Sequence, residues 1–301
     1  MLRGHDRLYR TTDRHFLIVE CLACQLLRLY PWPDPVELQT FYPQQYWYAP
    51  NRSTAASLEE RYRRLVLQDH VQFVKRALEA GPSEGAVLDV GCGGGLFPRM
   101  LAEAGQMVIG LDYSADAAEV AWHQNRVPTV CGNLANAPFG PGSFRLVTMF
   151  HVLEHLYEPA SYLDACFDLL KPNGRLVVQV PNADCWQFLL FGAGWNGLDV
   201  PRHLINFRAR DVENLLKSCG FEVMRQKFFS LRDNPAGLAT SIAPGLDPMA
   251  RRVRRVNESP RAQLWKDLAY FCLVLAALPV TMLEAACRAG STVMIEARKP
   301  A

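Results

Sequence analysis

The chain carries almost no net charge: 32 Lys and Arg stand against 30 Asp and Glu, a formal +2. A duplex-binding protein shows a strong basic excess, so nucleic acid is not an expected partner. There are no internal repeats and no low-complexity tracts, which argues against solenoids and fibres. No secretory leader is evident, and the nine cysteines are scattered through segments of strand and helix character. That is the pattern of reduced thiols in a cytoplasmic protein, not of a disulfide framework. Long hydrophobic runs are scarce. The one uncharged stretch, Leu268 to Leu283 (LAYFCLVLAALPVTML), is bounded by Asp267 and Glu284 and interrupted by Pro279. It falls short of the ~18 residues expected of a membrane span and reads as a buried helical hairpin.

What is present is an ordinary globular balance: 301 residues, 50% hydrophobic and 21% charged. That is enough for one large α/β domain with additions, or for two modest domains. The first fifty or so residues are rich in Pro, Tyr and Trp and lack a clear period, so they read as an irregular arm that packs by its aromatics. From Leu58 to Ala80 apolar residues recur at three and four, an amphipathic helix ended by Gly81-Pro82. A regular alternation follows. AVLDV (86–90), MVIGLD (107–112), VPTV (127–130), FRLVTMF (144–150) and RLVVQVP (175–181) are strand-like runs separated by helical segments. FEVMRQKFF and STVMIEAR (291–298) complete the set. Such alternation predicts a parallel sheet with crossover helices on both faces.

The first strand-loop-helix unit is the most informative. GCGGG (91–95) follows a buried strand and opens a helix, where glycines let backbone N–H groups approach a ligand. Asp112 ends the next strand, about twenty residues on, where an acid can accept both hydroxyls of a ribose. Together they predict an adenosine-type nucleotide on a Rossmann-like sheet. A dinucleotide site would carry a third glycine where Leu96 stands, which disfavours an NAD-dependent oxidoreductase. His151-Val-Leu-Glu154-His155 matches a zincin-like H-x-x-E-H pattern, but five residues are a weak basis for a metalloprotease.

VLDVGCGGG resembles the first motif of the class I S-adenosylmethionine-dependent methyltransferases. GLDYS (110–114) resembles the second, and VCGNLANAPFGPGSFRLVTMFHVLEHL (130–156) the third and fourth. LKPNGRLVVQVPN (170–182) is similar to the block around the fifth strand. The resemblance implies a seven-stranded sheet with the last strand antiparallel, S-adenosylmethionine as cofactor, and FHVLEHL beside its methionine end rather than on a zinc ion. It implies cofactor contacts from Asp89, Gly91, Cys92, Gly93, Asp112, Tyr113, Asn133, Leu134, Phe150 and His151. Asn133 stands where Asp is common, and Arg145 likewise. The nearer likeness is to bacterial methyltransferases of the ubiquinone-biosynthesis type. It implies an acceptor loop at WNGLDVPRHLINF (195–207), with Arg202 and His203 as catalytic candidates, His203 as base for a hydroxyl acceptor. Relatives of this branch begin with a zinc ribbon; here only Cys21-x-x-Cys24 remains, with His5 and His15 upstream, so the expectation is a remnant without metal. Whether His151, Glu154 and His155 hold a divalent ion is left open.

The resulting expectation is an arm over 1–56, a methyltransferase domain over 57–231 and 290–301, and a helical insertion over 232–289 capping the acceptor pocket. The partner is a small-molecule acceptor, methylated on oxygen or carbon and quinone-like, lipid-linked or sugar-derived. A scaffold protein that binds the cofactor without catalysis is the alternative. The basic cluster MARRVRRVNESPRAQLWK (249–266), with the uncharged run behind it, makes 249–287 a candidate for peripheral lipid contact.

Overall fold

The computed structural model describes residues 1–42 and 54–301; the second half of the aromatic stretch, 43–53, lies outside the described residues. The first residues form a small antiparallel sheet, not an irregular arm. Strands β1 (Leu2–His5), β2 (His15–Glu20) and β3 (Leu27–Tyr30) run as a meander, followed by a short helix α1 (Pro35–Thr40) capped by the Asp34 carboxylate. Alternation decides which side is covered: Phe16, Ile18 and Leu29 turn inward, and Phe16 meets Phe41 edge-on. In β2 the outward positions Leu17 and Val19 are apolar as well, so the strand shows no alternation in the sequence.

Helix α2 (Thr54–Ala80) leads into the main sheet. Its parallel part is β4 (Ala86–Val90), β5 (Val108–Asp112), β6 (Thr129–Cys131), β7 (Phe144–Phe150) and β8 (Leu170–Pro181). Helices α3 (Leu96–Glu103), α4 (Ala115–His123) and α5 (Pro159–Leu169) cross between them, and α6 (Trp186–Phe191) follows β8. A two-residue strand β9 (Ile205–Asn206) leaves this domain to pair with β3. Then come α7 (Ala209–Ser218), β10 (Glu222–Lys227), three helices α8 (Asn234–Ile242), α9 (Pro248–Val253) and α10 (Pro260–Ala286), and β11 (Thr292–Arg298). The order across the main sheet is β6-β5-β4-β7-β8-β11-β10, with β11 antiparallel to both neighbours.

The central strands are covered on both faces, so they read as continuous apolar runs. Adjacent residues divide between two cores: Val87, Leu146 and Val177 pack with Val71, Val74 and Ala77 of α2. Leu88, Val147 and Val178 face the opposite layer with Leu163 and Leu216. The uncharged run is not a hairpin. It lies in one continuous helix, α10, with Pro279 inside it. Proline removes a single backbone hydrogen bond, and this one sits on the exposed side of the helix.

Candidate active site

At the carboxyl end of β4 the chain bends through Gly91, Gly93 and Gly95 with φ of 71°, 53° and 80°, a left-handed path that favours glycine. The N–H groups of Gly91 and Cys92 both donate to Leu111 O, at 2.8 and 3.1 Å. A Cβ on Gly91 would lie 2.5 Å from Val152 Cγ2, so the bend is pressed against the turn that follows β7. Asp112, ending β5, accepts from the Gly93 N–H at 2.8 Å and from the Ser114 N–H at 2.9 Å. Burial raises its pKa while those two donors hold it down. One strand over, Asp89 is buried and accepts the Thr148 hydroxyl at 2.5 Å. Burial pushes its carboxyl up to about 7, against the Thr148 hydrogen bond and with the repulsion of Asp112.

The other expected cofactor residues are distributed unevenly. Cys92 is a correction: its thiol is buried beneath Gly110 and its N–H is spent on Leu111 O, so its role is packing. Tyr113 is 69% exposed, and its hydroxyl lies 3.3 Å from Gln39 Nε2, which brings α1 of the small sheet over this edge. Asn133 uses its side-chain oxygen on the Ala135 N–H at 3.0 Å, while Leu134 is buried in the core. Phe150 stacks edge-on against Phe97 and His70.

FHVLEHL is not a metal-binding helix. After His151, which has φ of 56°, residues Leu153–His155 form a single tight turn. His151 Nδ1 lies 3.1 Å from Glu154 Oε1, and Nε2 lies 3.5 Å from Asp233 Oδ2. Burial alone would lower its pKa, but Asp233 and Glu154 outweigh it and raise it to about 9. A cationic imidazole has no lone pair for a metal.

His155 and His203 are arranged differently. His155 Nδ1 is 3.0 Å from Arg202 O and 2.9 Å from the Tyr42 hydroxyl; His203 Nδ1 is 2.8 Å from Gly197 O. A carbonyl only accepts, so each Nδ1 carries a proton and each Nε2 presents a lone pair when the ring is neutral. The rings stand 4.7 Å apart. Burial, then His155, pushes His203 down to about 4, which keeps it neutral at physiological pH. Glu154 between them is 1% exposed, and its Oε2 has no hydrogen-bond partner among the described residues. Burial would raise its pKa, but His151, His155 and His203 hold it down. Ligand atoms of Glu154, His155 and His203 lie within 4.8 Å of one another, a set that could hold a divalent ion and that does not include His151.

Arg202 is the second correction. Its guanidinium is fully buried and faces the small sheet, bonded to Asp6, Asp199 and Phe41 O, so it has no side open to an acceptor. Cys21 and Cys24 sit in the turn after β2, where backbone N–H groups of Cys24 and Ala23 lower the Cys21 thiol to about 7. His5 and His15 pair with each other at the opposite end of β2 and bring no further ligand to them. Sequence reasoning missed Asp233, Gln179 and Tyr42. Gln179 reaches Asp233 at 2.7 Å from mid-sheet, and no motif marks any of the three.

A family model described as a methyltransferase domain matches residues 58–226. The chain belongs to the S-adenosylmethionine-dependent methyltransferase family. It is 37% identical over 140 residues to a probable S-adenosylmethionine-dependent methyltransferase of Mycolicibacterium smegmatis, covering 46% of this chain and only 52% of that one. It is 34% identical over 203 residues to a ubiquinone biosynthesis O-methyltransferase of Ralstonia nicotianae, covering 63% of this chain and 82% of the relative. A methyltransferase structure from Archaeoglobus fulgidus superposes with a TM-score of 0.51 at 18% identity, over 82% of this chain and all of that one, which shows the shared fold.

The methyltransferase site fits its cofactor on this chain's own chemistry. The glycine bend leaves no room for a Cβ, Asp112 offers two acceptor oxygens for ribose hydroxyls, and Asp89 carries a carboxyl suited to an ammonium group. With its acid buried and poised near 7, the protein should bind S-adenosylhomocysteine more weakly as pH falls. An ammonium favours ionised Asp89, so below about 7 binding must displace a proton, roughly a tenfold loss per pH unit. A calorimetric titration between pH 5.5 and 8.5 reads this. Asp89→Asn should flatten the profile and raise the melting temperature at pH 8, since a raised carboxyl pKa opposes folding wherever the group must ionise.

Proposed function

We propose that the chain is a cytoplasmic methyltransferase that moves the S-methyl group of S-adenosylmethionine onto a hydroxyl of a small apolar acceptor of quinone-like or lipid-linked type. The observation that carries this reading is Glu154 Oε2, buried with no hydrogen-bond partner among the described residues, beside His203, whose Nδ1 is held by Gly197 O so that Nε2 presents a lone pair. A buried acceptor group of this kind is costly unless a donor arrives, and the imidazolium N–H formed when His203 takes the acceptor's proton supplies one. The sulfonium carbon is already electrophilic, so the work left to the protein is alignment, exclusion of water and removal of one proton. With the cofactor bound, His203 Nε2 would take the hydroxyl proton as the oxygen bonds the methyl carbon and the carbon–sulfur bond breaks, the electron pair staying on sulfur in S-adenosylhomocysteine, and Glu154 would offset the imidazolium that forms. Gly197 O fixes the tautomer that makes this direction available. The name of the Ralstonia relative, an O-methyltransferase of ubiquinone biosynthesis, supports oxygen over carbon.

The test is to incubate cell extract with the protein and labelled S-adenosylmethionine and identify the metabolite that gains label. His203→Ala should lower that rate roughly a hundredfold while leaving S-adenosylhomocysteine affinity unchanged. Tight product binding with no labelled metabolite, and no effect of His203→Ala, would instead mark a non-catalytic scaffold.

A further inference from the structure

We propose that α10, with α6 beside its C-terminal end, is a docking surface for an anionic lipid bilayer, on which the protein lies without crossing it. Between Leu264 and Leu283 every exposed residue of α10 is apolar. They occupy one continuous arc: Leu264, Leu268, Phe271, Leu275 and Met282 follow a line along the helix, with Trp265 to one side. On the 100° helical wheel the exposed positions span roughly half the circumference. A helix on the surface of a water-soluble domain carries polar residues there; one apolar on nearly all sides belongs in a protein interior or against lipid. Here its most apolar window, of mean hydropathy 1.9, is only 22% buried.

The inner side explains why the helix lies flat. Val274, Ala277 and Thr281 are buried, and the helix is fastened to its neighbours at two levels. The Tyr270 hydroxyl meets Thr240 of α8 at 2.9 Å, and Glu284 accepts from Gln187 of α6 at 2.8 Å. Through Gln187 the patch continues onto α6, where Leu189 and Leu190 are 85% and 75% exposed.

Charge selects lipid among apolar partners. The segment 249–266, which includes the first turn of α10, holds six cations and one acid, Glu258. Arg251 and Lys266 are held by Glu258 and Asp267, while Arg255 and Arg261 are exposed, as is Arg252 beside Glu59. A basic flank leading into an apolar face with an exposed tryptophan is the arrangement of helices lying in the headgroup layer of anionic membranes. A second copy of the helix would cover a seam and leave the rest of so wide an arc in water, whereas acyl chains cover all of it. Lipid docking and methyl transfer are separate properties, so failure of one leaves the other standing.

The experiment is flotation of the full chain with vesicles of phosphatidylcholine alone and with phosphatidylglycerol added, at low and high salt. Recovery is expected with the anionic vesicles and should fall as salt rises. Paired Leu264→Glu and Met282→Glu substitutions, at positions 68% and 60% exposed, should cut it by at least roughly tenfold. Those positions point outward, so the variant should keep its melting temperature and its affinity for S-adenosylhomocysteine. Trp265 emission should shift to the blue on binding, and Trp265→Phe should lack that component. Absence of recovery with either vesicle overturns the proposal. So does a two-chain mass in light scattering that the glutamate variant converts to one chain.

Discussion

Arg202→Ala should lower the melting temperature by roughly 10 °C, an effect of stability and not of chemistry. The guanidinium bonds Asp6 at 3.0 and 3.1 Å, Asp199 at 2.7 and 3.0 Å and Phe41 O at 3.1 Å, and it stacks 4.5 Å over the Tyr9 ring. Arg202 and Asp6 side chains are wholly buried. One residue therefore ties the small sheet to the loop that supplies His203. Removing one partner of a buried ion pair leaves an uncompensated charge and costs about 3–5 kcal/mol. At ~2–4 °C per kcal/mol for a chain of this size, the shift follows. Arg202→Lys should rescue little, since a point charge cannot serve two carboxylates and a carbonyl as a planar fork does. The pH dependence separates this clasp from other causes. Burial would raise the pKa values of Asp6 and Asp199, but Arg202 outweighs it and lowers both. A depressed carboxylate stabilises the fold above its unfolded pKa and loses that contribution as pH falls through the folded one. Wild-type and Arg202→Ala melting temperatures should therefore differ most near neutrality and converge below about pH 4. If the variant melts like the wild type at pH 7 and has lost only turnover, Arg202 is not the clasp the geometry describes.

Arg202 also shows where sequence reading runs out. It and His203 are neighbours in the chain, and a loop motif marks them together. Their side chains leave the backbone in opposite directions, one into the small sheet and one toward Glu154 and His155. Which neighbour faces the site is set by tertiary packing. The same holds for β9, two residues long and strand-like only because β3 stands beside it. Asp233 precedes α8 of the insertion and meets His151 only after the sheet is assembled. The α/β order was legible for the opposite reason. Strands covered on both faces must be apolar at every position, and a left-handed bend must use glycine; both constraints are local and survive in one sequence. In α10 the local signal pointed the wrong way. Pro279 looked like the corner of a hairpin, yet at an exposed position of a long helix the ring is accommodated.

The remaining large effect concerns the glycine bend and its acid. Asp112→Ala should weaken S-adenosylhomocysteine binding about a thousandfold, because two hydrogen bonds to a charged carboxylate, at about 1.5–3 kcal/mol each, are removed together. In the protein as it stands those oxygens hold the N–H groups of Gly93 and Ser114, so the substitution also loosens the bend itself. Gly91→Ala should reach a similar loss by another route. Its φ of 71° strains any residue with a Cβ, and that Cβ would sit 2.5 Å from Val152 Cγ2. Gly105 separates the two contributions: its φ is 84°, but a Cβ there meets nothing within 4 Å. Gly105→Ala should therefore cost about 1–2 kcal/mol of stability from backbone strain alone and leave cofactor affinity intact. Adding Val152→Ala to Gly91→Ala should recover part of the binding by removing the collision while the strain persists. Calorimetric titration of the four variants decides the matter. Equal affinity in Gly91→Ala and wild type would mean that the bend does not hold the cofactor.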